Sequence, residues 1–358
     1  MSARVVLVRN GFVFLLGLVL GLVVLPAEGT AQSPGQNPTF RENFYDVGIR
    51  DDRCWIVGYY GTILHSRDRG RTWEVQSSGT KEALFRVGFV NPEKGWISGS
   101  YGTILHTRDG GGSWEVQGTP TSEHLFGLNF LNESIGWVVG SRGTVLYTEN
   151  GGLAWVDRSI GEDVILNDVG FINRREGWVV GEFGRIYHTA DGGQSWVKQK
   201  SPIEVSFISG ENRNLFRLLF IRSEGDGKGL MNSWAFGLDG VILKTREGEQ
   251  WEVVHKNGSS NSVATVHHLF DAVIFRGRKW AVGERGTVVF AGVRDEGWVP
   301  VGLDMPPVSL NGIAFGLDGL GFIVGNRGVV LRTKDGGEKW DRIRIVPRGP
   351  GKGISRVQ

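Results

Sequence analysis

Sulfur is scarce in this sequence, which has one cysteine, Cys54, and three methionines. A single cysteine excludes an intramolecular disulfide, so core packing and strand pairing must supply stability. Cys54 precedes a tryptophan where other copies of a repeat carry glycine, and it reads as a buried, inert thiol. Charge of one sign is also lacking. Forty Lys and Arg face 38 Asp and Glu, a formal net charge of +2, which argues against a broad electrostatic nucleic-acid footprint. Beyond the N-terminus no apolar periodicity is long enough for an amphipathic helix, which excludes helical repeats. The chain has no dinucleotide fingerprint, no phosphate loop, no serine elbow and no His-Glu-x-x-His. No cofactor and no metal is expected.

Glycine and tryptophan are abundant, at 56 and 13 residues. Together they suggest many tight turns, each covered by an aromatic, rather than disorder or collagen. Trp55, Trp96, Trp137 and Trp178 are 41 residues apart, and so are Trp73, Trp114, Trp155 and Trp196. The register continues through Trp234 and Trp251, Trp280 and Trp298, then Phe322 and Trp340. That makes seven repeats, with a period in the propeller range. Within the second copy, Leu84–Phe89, Gly95–Gly99, Gly102–Thr107 and Trp114–Gln117 are short β-prone runs divided by glycine-bearing turns. Four strands per repeat make a blade, so the expected fold is an all-β, seven-bladed propeller over residues 44–346.

The turn between the third and fourth strands is an Asp-box of the sialidase-like type, Ser/Thr-x-Asp-x-Gly-x-x-Thr/Ser-Trp. Good copies carry Asp68, Asp109, Asp191 and Asp335 with Trp73, Trp114, Trp196 and Trp340. Each carboxylate should accept amides of its own turn while glycine supplies a positive φ, so the role is structural. Asn150 replaces the aspartate in the third copy, and the copies around Glu247 and Asp295 are degenerate.

The turn between the second and third strands, Gly-x-x-Gly, should lie on the opposite face. Its second variable position reads Tyr60, Tyr101, Arg142, Phe183, Asp239, Arg285 and Arg327. Sevenfold geometry makes this a rim, and the arginines and aromatics are candidates for binding a partner. Insertions at 201–214 and 257–262 are expected on the same face. A second ring, Asp46, Arg86, Gly127, Asp168, Arg217, Asp271 and Gly312, occupies the third position of each inner strand. Its charges should pair between neighbouring blades, or else polarise a small channel mouth. His65, His106 and His188 share one repeat position in separate blades, so they cannot converge on a metal.

At the N-terminus, Arg4 and Arg9 precede a charge-free apolar stretch from Gly11 to Leu25, then Pro26 and the small residues 29–31. This is the layout of a cleaved signal peptide over residues 1–31 and implies export to the periplasm or cell exterior, with an uncleaved anchor as the other reading. Residues 32–43 read as a linker or ring-closing segment, and 347–358 as a flexible tail.

The motifs Leu-x-x-Val-x-Phe, Gly-Trp-x-Val-Gly and Gly-x-Ile-Leu-x-Thr-x-Asp-Gly-Gly-x-x-Trp resemble those of the photosystem II assembly and stability factor family. The resemblance spans residues 44–340. It implies a non-enzymatic propeller that binds a membrane or envelope protein, often through an arginine-rich surface, here Arg142, Arg285 and Arg327. Members typically carry a lipoprotein cysteine after the signal, which this chain lacks. The alternative is a sialidase-like glycoside hydrolase or a carbohydrate-binding propeller, with Tyr60, Tyr101 and Phe183 stacking on sugar. The loops are short for a sialidase, and Phe40-Arg41-Glu42-Asn43 is not that family's Phe-Arg-Ile-Pro opening. A monomer is expected.

Overall fold

The computed structural model describes residues 42–205, 213–222, 230–255, 267–294 and 297–346. Among them are seven four-stranded antiparallel sheets, each built from one continuous stretch of chain in simple up-and-down order. The chain forms the expected seven-bladed propeller. Its inner strands run Phe44–Arg50, Leu84–Phe89, Leu125–Phe130, Leu166–Phe171, Leu215–Arg222, Leu269–Phe275 and Leu310–Phe315.

One blade cannot bury both faces of its sheet, and burial is completed between blades. Seven separate apolar cores result, one at each boundary. The same aromatic sandwich recurs at three successive boundaries. The second-strand tryptophan of one blade stacks on the phenylalanine ending the next blade's inner strand. Ring centroids are 3.8 Å apart for Trp55–Phe89, 3.7 Å for Trp96–Phe130 and 3.6 Å for Trp137–Phe171. That phenylalanine then meets the Asp-box tryptophan of its own blade edge-on, as in Phe130–Trp155 at 6.1 Å and 87°. Both geometries suit the ring quadrupoles. The period of 41 residues is what brings these three rings together at successive boundaries.

The boundaries are also tied by hydrogen bonds. Gln117, just after the fourth strand of blade 2, donates to the carbonyl of Gly151 in the Asp-box turn of blade 3 at 2.9 Å. Trp96 Nε1 donates to the same carbonyl at 3.0 Å. Gln117 Oε1 in turn accepts from Trp155 Nε1 at 3.2 Å. Gln199 repeats all three roles with Gly248, Trp178 and Trp251 at 2.7–2.9 Å.

Blade 7 packs directly on blade 1, and no described strand crosses between the two sheets. Gly328 donates to the Glu42 carbonyl at 2.7 Å, and the Asn311 side chain to the Phe44 carbonyl at 2.7 Å. Phe322 takes the tryptophan place and meets Trp73 edge-on at 5.7 Å. The segment around 38–41, a candidate for closing the ring, lies outside the described residues. So do the 1–31 leader, the 347–358 tail, and the cores of the insertions at 201–214 and 257–262.

Cys54 is fully buried, and burial pushes its thiol pKa up, as expected of an inert core residue. His65 and His106 each stack on the tryptophan of their own blade, at 5.1 and 4.8 Å. The histidines are therefore blade-core residues and do not converge.

Candidate binding face

Backbone bonds sort the loops onto two faces. Gly61, Gly102 and Gly143, which close the second-to-third strand turns, donate to carbonyls of Glu82, Glu123 and Val164 at 2.6–2.9 Å. Those acceptors lie on the connections entering the next blade, so both sets of loops share one face. The Asp-box glycines Gly110, Gly151 and Gly192 instead donate to the first-to-second strand turns, at Glu93, Ser134 and Arg175. The Asp-boxes therefore occupy the opposite face.

On that opposite face the Asp-box carboxylates are committed to their own turns. Asp68 accepts from Thr72 N at 2.8 Å, Thr72 Oγ1 at 2.7 Å and Ser66 Oγ at 2.9 Å. Asp109 and Asp191 repeat the pattern, and Asp335 accepts from Thr333 Oγ1 and Lys339 N. Desolvation alone would raise these carboxyls, but the hydrogen bonds win and hold Asp109 and Asp191 at about 2. Such fixed carboxylates suit a staple rather than proton transfer.

On the turn face, all seven rim residues adopt the left-handed conformation, with φ between 52° and 61°. An L-residue there costs about 1 kcal/mol or more, and glycine would avoid it. The strain is held by the neighbouring blade. Asn or His just before the next inner strand accepts the rim residue's backbone N–H. Examples are Asn43 for Arg327 at 3.2 Å, His124 for Tyr101 at 3.4 Å and His268 for Asp239 at 3.0 Å. Tyr60, Tyr101, Arg142, Arg285 and Arg327 are exposed, whereas Phe183 and Asp239 are partly buried.

The rim does not gather the three arginines. Arg285 and Arg327 belong to adjacent blades 6 and 7, while Arg142 is on blade 3 across the ring and lies 3.5 Å from Glu123. Arg285 and Arg327 are thus neighbours on the rim, and Arg142 stands apart from them. The spacing of the repeats gives residue types at equivalent places, and only their order around the closed ring decides which are neighbours.

The structure adds residues that the sequence reading passed over. The second position of each inner strand carries Tyr45, Phe85, Phe126, Asn167, Phe216, Phe270 and Asn311. Tyr45–Phe85 and Phe85–Phe126 centroids are 5.7 and 5.2 Å apart, and Phe216–Phe270 are 5.5 Å apart. Tyr101 extends the first arc outward by packing on His124 at 4.7 Å, which leads to Phe126. Aromatic surface therefore runs from the exposed rim at blade 2 to the channel, with Phe85 and Phe126 only partly buried. The available signal was strand alternation: the residue before each charged ring position faces the same mouth in every blade.

Below this lie the charges. Arg86 is 3.6 Å from Asp46 and 3.2 Å from Asp271; Arg217 is 3.4 Å from Asp168 and 2.9 Å from Asp271. Pairing thus occurs between neighbours, as expected, and also across the channel between blades 2 and 6. Each aspartate also accepts a backbone N–H from the next blade: Val87 to Asp46, Leu218 to Asp168 and Ile313 to Asp271, at 2.8–2.9 Å. Desolvation raises Asp46 to about 6 against the attraction of Arg86. The channel is braced by five charges.

A family model described as "Photosynthesis system II assembly factor YCF48" matches residues 36–118, 112–206 and 160–266. The chain belongs to this family. No curated protein sequence matches it. Among solved structures, "YCF48 bound to D1 peptide" is similar at 20% identity and a TM-score of 0.63, covering 87% of this chain and 99% of that one. YCF48 from Cyanidioschyzon merolae follows at 18% and 0.62, covering 83% and 98%. A GH74 xyloglucanase from Xanthomonas campestris shares the fold at 10% identity and 0.63, covering 84% of this chain and 53% of that one.

Proposed function

We propose that this YCF48-family chain is an exported, non-enzymatic binding protein. It would hold a segment of a membrane or envelope protein against its turn face during assembly. The observation that carries this reading is the strained rim: seven non-glycine residues occupy a conformation that glycine would adopt more cheaply. Side chains kept at such positions point to use of the side chain. The YCF48 structure with a D1 peptide supports a membrane-protein segment as the partner class, and the apolar stretch at 11–25 supports export.

Tyr101, Phe126 and Phe85 offer the apolar anchors, and the Arg285–Arg327 pair offers charge on the other side of the mouth. The channel carboxylates do not offer a glycosidase pair, because each is bound by a backbone N–H and an arginine. Glycan binding without turnover is the second reading, favoured by the exposed rings of Tyr60 and Tyr101. Affinity capture from membranes of the native host tests both. The parent should retain a membrane protein that Tyr101→Ala/Phe126→Ala and Arg285→Ala/Arg327→Ala variants lose while staying folded. Retention of glycans instead, lost with Tyr60→Ala, would favour the second reading.

A further inference from the structure

On the Asp-box face, one boundary carries a partly buried arginine where its neighbours carry glutamine. At the fourth-strand position where blades 1, 2 and 4 carry Gln76, Gln117 and Gln199, blade 3 carries Arg158. Arg158 keeps the donor half of the role, bonding the Gly192 carbonyl at 2.6 Å. Lacking an acceptor, it cannot serve the next Asp-box tryptophan, and the buried Nε1 of Trp196 has no hydrogen-bond partner. Blades 5, 6 and 7 carry Val254, Val301 and Ile343 at this position, and the Nε1 of Trp298 and of Trp340 likewise has no partner; what sets blade 3 apart is the cation placed there.

The substitution opens onto a cavity of about 360 Å³ between blades 3 and 4, lined by Arg158, Arg174, Arg175, Tyr147 and two carboxylates. It joins a second cavity of about 490 Å³ through Glu149 and Arg174. The Arg158 guanidinium lies 3.7 Å from the centre of the Tyr147 ring, and Arg174 reaches the Tyr147 hydroxyl at 3.4 Å. Burial pulls the Arg158 pKa down, a cost that an anion would offset. Of the two carboxylates, Asp191 is engaged by its own turn. Glu149 is exposed and accepts from Arg174 at 3.0 Å, showing where an oxyanion is accepted. Three guanidinium forks around one cleft match the several oxygens of a phosphate better than one carboxylate does.

We propose that this cleft is a phosphate-binding site, in which Arg158, Arg174 and Arg175 take a phosphate group and Glu149 is its internal competitor. The site lies on the face opposite the proposed partner surface and does not depend on it.

The test is a titration of the full-length chain with inorganic phosphate at constant ionic strength, following the Trp196 indole N–H by NMR. A saturable shift is expected. Glu149→Gln should tighten binding several-fold, and Arg174→Gln should weaken it about tenfold or more. Arg158→Gln restores the repeat's own pairing, so it should fold and yet lose the response. Vesicles containing phosphatidylglycerol form the second arm; flotation that depends on the same arginines would place the phosphate on a lipid headgroup. No saturable shift and no arginine-dependent flotation, or responses that Arg158→Gln and Arg174→Gln leave unchanged, would overturn the proposal.

Discussion

Trp155 donates its indole N–H to Gln117 across the boundary of blades 2 and 3, at 3.2 Å. One repeat later Trp196 faces Arg158 and the bond is missing. This pair of boundaries, alike in the tryptophan and different at the glutamine position, gives a measure of what the staple contributes. Arg158→Gln is expected to stabilise the fold by about 1 kcal/mol, and Gln117→Leu to destabilise it by about 1–3 kcal/mol, because the Trp155 indole N–H then loses its acceptor and the Gly151 carbonyl one of its two donors. Urea denaturation of both variants checks the two signs.

The aromatic sandwich sets the larger energies. Trp137 is fully buried and stacked on Phe171. Trp137→Ala should cost about 3–5 kcal/mol. Trp137→Phe should cost markedly less, since Phe322 already fills this place in blade 7. Equal losses for the two substitutions would show that the boundary tolerates no smaller ring.

Strain at the rim makes an unusual expectation. Tyr101→Gly should leave stability unchanged or raise it by up to about 1 kcal/mol, because glycine removes the left-handed penalty. Gly102→Ala, one turn position on, should cost more than that, since φ is 69° and a Cβ would press on the Thr121 carbonyl. Thermal unfolding of the two variants should move in opposite directions, or Tyr101→Gly should not move at all.

Acid stability carries a sign that can be worked out. Burial holds His65 and His106 at about 4 in the folded chain, against an ordinary 6.5. The unfolded chain therefore binds more protons between these values, and stability falls as pH falls from 6.5 to 4. Asp46, at about 6 against 3.8, acts oppositely: its contribution is present at low pH and lost as pH rises through 6. Two histidines outweigh one aspartate, so net stability should drop on acidification. His106→Gln should flatten that drop and Asp46→Asn should steepen it, as read from denaturation midpoints between pH 4 and 7.

The fold was legible because its regularity is written along the chain. Tryptophans 41 residues apart, Gly-x-x-Gly turns and Asp-boxes each report a local structure that recurs unchanged. What lies between blades was harder to read. Gln117 and Trp155 are 38 residues apart and belong to no motif until the blades are stacked. The arginines show the same limit: equivalent turn positions put Arg142 on the same rim as Arg285 and Arg327, and only the blade order places it across the ring from them. The aromatics at Phe85 and Phe126 were overlooked because a half-buried phenylalanine at the start of a strand looks like ordinary core. Only the closed ring shows that they open on the channel mouth beside Tyr101.

The central claim is that the turn face, and not the Asp-box face, holds a membrane or envelope protein. Photocrosslinking in the native host tests it most directly, with a benzoylphenylalanine placed at Tyr101 in one variant and at Arg108, exposed on the Asp-box turn of the same blade, in another. The account predicts a membrane-protein adduct from position 101 and none from 108. The same adduct from 108 alone, or adducts of equal yield from both faces, would contradict it.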